Sequence, residues 1–248
     1  MSNVQTLLVV WQDDKTRLYY HIGTLSYFEN HYEFVYTIKS TGNRKLGDAL
    51  KAGYMIHPAF PQTDKIYSSE TLFPAFDRRI PSSDRSDFYN ILADLGLSEN
   101  ASKMEILRAT RGRLASDTYS FEQPLRLEND GKLHSSFFVH GMRHQNLPKG
   151  WASMVKIGSS LKLMQEPTNE YDSNAVAVYT HSGLKLGYVP TFYSQAIFSL
   201  LENGAAPLVR VIYLNEKSHP HWWLKVNFEC EIPLSQAVES KELSPVMQ

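Results

Sequence analysis

The sequence predicts an α+β fold, with a mixed sheet and helices in the N-terminal half and paired short strands with one or two helices in the C-terminal half. Three observations carry this. Apolar runs of strand length, bounded by polar or glycine-containing turns, open the chain and recur after its middle. From Thr191 to Asn203 the residues Phe192, Ala196, Ile197, Leu200 and Leu201 recur at helical spacing, with Gly204 placed as a C-cap. Near the middle, Arg126 to Ser136 (RLENDGKLHSS) is polar, contains Asn129-Asp130-Gly131 and holds no sustained period, which marks a linker.

Taken in order, Leu7-Leu8-Val9-Val10-Trp11 is a compact apolar strand, Gln12 to Lys15 its polar connection, and Tyr19 to Leu25 its hairpin partner. Tyr32 to Ile38 supplies a third strand. The sharpest turn chemistry lies from Gln165 to Pro190. There Asn169 to Asn174 form a polar cluster whose Asn and Asp side chains hold a tight turn, Ala175 to Tyr179 alternates as a strand, and His181-Ser182-Gly183 returns the chain into Leu184 to Val189. Leu208 to Leu214 and Trp222 to Phe228 read as closing strands, and Ala237 to Gln248 has no pattern and frays. The expected organisation is a domain over 1–127, a linker over 128–136, a second domain over 137–235 and a disordered tail over 236–248.

Composition narrows the function classes. Of 248 residues, 42% are hydrophobic and 21% charged, enough apolar surface for packed cores. A single cysteine, Cys230, leaves neither a disulfide framework nor a cysteine zinc site, and points to a reducing cytosol. No apolar run reaches the roughly 20 residues of a membrane span, and no charged-then-apolar leader opens the chain, so a cytoplasmic protein is expected. A net charge of −1 argues against broad coating of nucleic acid and leaves room for a small local site. There is no nucleophile elbow, no phosphate-cradling glycine loop and no nuclease-like carboxylate cluster, so no enzyme and no cofactor is expected. His219 and His221 beside Trp222-Trp223 lack a nearby carboxylate and make a poor metal site; one of the two tryptophans is expected in the core and the other outside.

Phe138-Val139-His140-Gly141, Leu161-Lys162-Leu163, Glu166 to Val176 (EPTNEYDSNAV) and Gly187-Tyr188-Val189-Pro190, followed by a helix, together resemble the HIRAN family over about residues 136–230. That resemblance implies a small β-barrel, OB-like, which binds single-stranded DNA at its 3′-hydroxyl end. It assigns Asp172 to the terminal hydroxyl, Tyr171 to a stacked base, and Arg143, His144, Lys162, Asn169 and Tyr188 to the surrounding DNA-binding surface. A carboxylate suits this task, because it accepts a hydrogen bond from a hydroxyl and repels a phosphate. The alternative for Asp172 is an Asx-turn carboxylate that caps its own backbone. The sequence departs from the family at His144 and Gln145, where a tyrosine pair is usual, and at Tyr188 and Thr191, where a histidine and a lysine are.

The opening, from Ile22-Gly23-Thr24-Leu25 and Phe34-Val35-Tyr36 through Leu72-Phe73-Pro74-Ala75-Phe76, Asp84 to Leu95, Met104 to Arg113 and Tyr119-Ser120-Phe121, is similar to the N-terminal subdomain of HipA-type toxin kinases over about 5–125. The kinase core does not follow. The resemblance implies a partner-binding role of the toxin–antitoxin kind, with Phe73 and Phe76 as exposed anchors beside Arg78 and Arg79, and a HipA-type kinase, helicase or nuclease encoded nearby as partner. Arg85, Arg108, Arg111 and Arg113 complete a locally basic half, read either as a solvated face or as a nucleic-acid or acidic-partner surface continuous with the other domain.

Overall fold

The computed structural model describes residues 5–40, 42–128 and 130–232. The chain divides into two compact units, 1–123 and 124–248.

In the first unit, strands β1 (Gln5–Gln12), β2 (Tyr19–Tyr27), β3 (Tyr32–Tyr36), β4 (Tyr67–Ser69) and β5 (Tyr119–Glu122) form one sheet in the order β4-β3-β2-β1-β5. Every pairing is antiparallel, so the sheet is not mixed: the expected hairpins join successive strands, and β5 returns along β1 in the opposite sense. Helices α1 (Leu46–Lys51), α2 (Pro74–Asp77), α3 (Phe88–Asp94) and α4 (Lys103–Thr110) fill the connections. Ser102 opens α4 with a capping box to Glu105, and Arg111 ends it in the left-handed conformation at φ 57°. Arg111 thereby turns its carbonyl to the Phe121 amide and its guanidinium onto Glu122, both side chains being buried.

The core of this unit corrects the expected partner face. Phe73 and Phe76 are buried, packed with Phe60, Phe34 and Phe121 at centroid distances of 5.1–5.4 Å. Arg79 is buried as well. It donates to the Gly112 carbonyl at 3.0 Å and grips Asp117 with both terminal nitrogens, its guanidinium 5.0 Å from the Tyr119 ring centroid. Two arginines of the supposed basic face, Arg79 and Arg111, are therefore internal, each neutralised by a carboxylate. Arg78, Arg85 and Arg108 remain exposed, and Arg85 is paired with Asp87.

In the second unit, strands β6 (Arg126–Leu127), β7 (Lys132–Phe138), β8 (Ser160–Glu166), β9 (Ala175–Thr180), β10 (Lys185–Tyr188), β11 (Leu208–Leu214) and β12 (Leu224–Glu231) form a sheet in the order β10-β9-β8-β11-β12-β7-β6. The expected linker is thus a hairpin: Arg126 pairs with His134 and Leu127 with Leu133, across a turn in which Gly131 adopts φ 77°. A buried Ser135 between Leu133 and Phe137 hides the apolar alternation that would have announced β7.

Just past β7, His140 pairs with Tyr188 of β10 through two reciprocal backbone hydrogen bonds of 2.9 Å, which bring the two ends of the sheet together as a barrel. Gly187 permits the approach: a Cβ there would lie 2.3 Å from the His140 carbonyl oxygen. Helix α5 (Thr191–Glu202) follows, with Phe192, Tyr193, Ala196, Ile197 and Leu200 buried and Tyr193 against Phe137. Trp222 and Trp223 precede the last strand rather than open it, because Pro220 starts a 3₁₀ turn over Pro220–Trp222. Both rings are half-buried, Trp222 on Phe138 and Trp223 on Trp151. The tail over 236–248 lies outside the described residues.

Candidate nucleic-acid interface

The loop between β8 and β9 is built by one side chain. The Asn169 carbonyl oxygen accepts from the Tyr171 amide at 3.0 Å and the Asp172 amide at 3.2 Å, an Asx turn that fixes both following residues. The Asn169 amide nitrogen donates to the Tyr188 hydroxyl at 3.1 Å, so the loop is also tied to β10. Tyr171, held by its backbone, is 73% exposed and presents its ring to solvent.

Asp172 serves the fold first. One carboxylate oxygen accepts from the Asn174 amide at 2.9 Å, and the other from the Ser194 hydroxyl of α5 at 2.6 Å. The capping alternative is therefore real. A carboxylate offers about four acceptor positions, so two remain for a hydroxyl donor on its half-exposed side.

Tyr188 is the hub. Its hydroxyl donates to Glu166 at 2.9 Å and accepts from Lys185 at 2.7 Å as well as from Asn169. Lys185 bonds both Glu166 oxygens at 2.6 and 2.9 Å, and Tyr179 donates to Glu166 at 3.2 Å. Burial favours a protonated Glu166, but Lys185 and the two hydroxyls outweigh it and hold the carboxyl below its usual range. Burial likewise opposes the Lys185 charge, and Glu166 more than restores it. Neither Glu166 nor Lys185 was expected at the site. They stand 19 residues apart, on β8 and β10, the two strands that flank β9, so no local pattern announces the pair.

Arg143 and His144 lie on the 3₁₀ turn Met142–His144, which packs against β10, and Arg143 Nε donates to His144 Nε2 at 2.8 Å. Both are exposed. Gly141, at φ 69°, starts this turn 3.5 Å from the Tyr188 ring, measured from the position a Cβ would take. Asn169, Tyr171, Asp172, Tyr188, Arg143 and His144 are thus gathered around the barrel closure. Lys162 stands on the outer face of β8 opposite Tyr179, exposed and separated from Lys185 by strand β9. Among the described residues no group of three or more His, Cys, Asp or Glu side chains is placed to hold a metal ion. No helix in the described residues is long and apolar enough to cross a membrane.

The HIRAN domain family matches residues 132–235. Among solved structures, a Lactobacillus plantarum protein determined as a structural-genomics target is 24% identical, with a TM-score of 0.35 and coverage of 41% of this chain and 100% of that one. The crystal structure of the HIRAN domain of human HLTF is 17% identical, with a TM-score of 0.38 and coverage of 48% of this chain and 94% of that one. No curated protein matches the chain.

Proposed function

We propose, with residues 132–235 a HIRAN domain, that the second unit binds the 3′-hydroxyl end of a single DNA strand, and that the chain acts as a non-enzymatic adaptor. The observation that carries the reading is the Asn169 turn. It holds an exposed aromatic ring and a carboxylate on adjacent residues, with their backbone amides already satisfied. A terminal base stacks on Tyr171, a contact worth about 1–3 kcal/mol. The terminal hydroxyl donates to the Asp172 carboxylate, and Arg143 and His144 meet the first phosphate. The Glu166–Lys185 pair cancels its own charge, so the phosphate attraction falls to Arg143, His144 and Lys162. That suits a local end site better than a broad coating surface.

Fluorescence anisotropy of the full chain with labelled single strands tests this. A 3′-hydroxyl strand should bind and a 3′-phosphate strand should bind poorly. Asp172→Asn should lower hydroxyl-end affinity by about one to two decades, from about 1.5–3 kcal/mol for a charged hydrogen bond. Equal binding of both ends rejects the role of Asp172.

A second reading gives the first unit a protein partner, such as a HipA-type kinase. Its support is the exposure of Arg78, Met55 (84%) and Ile66 (60%) on that unit, since the aromatic anchors first expected are internal. Co-purification of a kinase from the native host, lost on Met55→Asp, is the expected result.

A further inference from the structure

We infer that the outer face of β11, β12 and β7 is a second, stacking subsite that receives the nucleotides upstream of the bound 3′ end; the inference rests on the end-binding reading above. Three cross-strand rungs define the face. Tyr213, Lys225 and Phe138 stand opposite one another in register, followed by Arg210, Asn227 and Ser136, and then by Leu208, Glu229 and His134. In the first rung the Phe138 ring meets Tyr213 at 6.1 Å and Trp222 at 5.1 Å, each edge to face. The Lys225 ammonium lies 5.6 Å from the Phe138 centroid, and Tyr213 is 40% exposed. Arg210, in the second rung, is exposed. Aromatic faces interleaved with cations are what a single strand needs, since every base has a π face and every linkage a negative charge.

Contacts connect this face to the end site. Tyr188 pairs with His140, the His140 ring meets His221 at 6.2 Å, and His221 precedes Trp222, which packs on Phe138. The turn that carries Arg143 and His144 packs on the turn Pro220–Trp222. A strand whose 3′ end sits at Tyr171 and Asp172 is thereby led past Arg143 and onto Phe138 and Tyr213. The third rung ends the lane. Glu229 and Glu231 share the one ammonium of Lys132, at 2.7 and 3.5 Å, so a phosphate advancing beyond Arg210 meets net negative charge. The subsite is therefore short, two rungs separated by about 7 Å of strand.

The test measures 3′-hydroxyl oligothymidylates, a dinucleotide and an octanucleotide, on the full chain by anisotropy. The octanucleotide should bind more tightly. Tyr213→Ala should lower its affinity about tenfold or more while leaving the dinucleotide unchanged, and Tyr213→Phe, which keeps the ring, should retain it. Lys225→Gln should reduce the salt slope for the octanucleotide by about 0.7. Equal affinities for the two lengths, or an octanucleotide indifferent to Tyr213→Ala, overturn the subsite and leave the end site standing. Failure of both lengths to bind the unaltered chain overturns the end-binding reading, and the subsite with it.

Discussion

Gly187→Ala is the most direct probe of how the second unit is put together. The added methyl would sit 2.3 Å from the His140 carbonyl oxygen and 2.9 Å from Val139 Cγ1, so backbone rather than a flexible side-chain end must move. Movement there breaks the reciprocal pair of 2.9 Å hydrogen bonds between His140 and Tyr188. Those bonds contribute about 1 kcal/mol each, and overpacking adds about 1–3 kcal/mol, for a loss of about 3–5 kcal/mol. Urea unfolding of the full chain followed by tryptophan fluorescence reads this, since Trp151, Trp222 and Trp223 all belong to the second unit. The midpoint should fall by on the order of 2 M at unchanged slope. Because Tyr188 also anchors Asn169, affinity for DNA ends should fall with it. A midpoint within about 0.3 M of the unaltered protein would refute the claim that this seam closes the barrel.

Other perturbations have separate signatures. Ser194→Ala removes the hydroxyl that Asp172 accepts but keeps the carboxylate, so stability should drop by about 1 kcal/mol in urea while hydroxyl-end affinity stays within a few-fold. Glu122→Gln strands a buried Arg111 guanidinium and should cost about 3–5 kcal/mol, read as an earlier unfolding transition of the first unit. Lys45, buried 3.1 Å from His21 Nδ1, has its ammonium pulled down by burial to about 8, while burial and then the Lys45 charge hold His21 well below its usual value. In both cases the unfolded chain binds more protons. The contribution of this pair to stability should therefore be fullest above pH 10.5, decline as pH falls toward 8, and decline again below about 6.5. The lysine step is worth about 3 kcal/mol. Lys45→Met should abolish the upper step in a pH series of unfolding midpoints, and an unchanged series would reject it.

Much of the strand order could be read because it is local. The opening hairpin and the return from Ala175 through Gly183 are specified by alternation and turn residues that lie within the segments themselves. The Asn169 turn was legible for the same reason, since its donors lie two and three residues on. What failed depends on distant partners. Leu72-Phe73-Pro74-Ala75-Phe76 looks the same whether it meets solvent or Phe34, Phe60 and Phe121, which come from other elements. Charge in Arg79 says nothing about burial until Asp117, 38 residues later, is placed beside it. Asn129-Asp130-Gly131 suits a linker and a hairpin turn equally, and only the pairing of β6 with β7 decides.

The left-handed end of α4 has a consequence for how this chain can change over generations. Arg111 occupies a backbone conformation that costs a non-glycine residue about 1–2 kcal/mol, and it stays because its side chain neutralises Glu122. Glycine at 111 would relax the backbone yet strand the carboxylate, and an apolar residue at 122 would strand the guanidinium. Either first step loses about 3–5 kcal/mol, a large part of the roughly 5–15 kcal/mol that keeps a domain folded. Only a double exchange that also refills the vacated volume with well-packed apolar side chains is close to neutral or better. The two positions are thus separated from an equally good alternative by a fitness valley, and should be inherited as a pair.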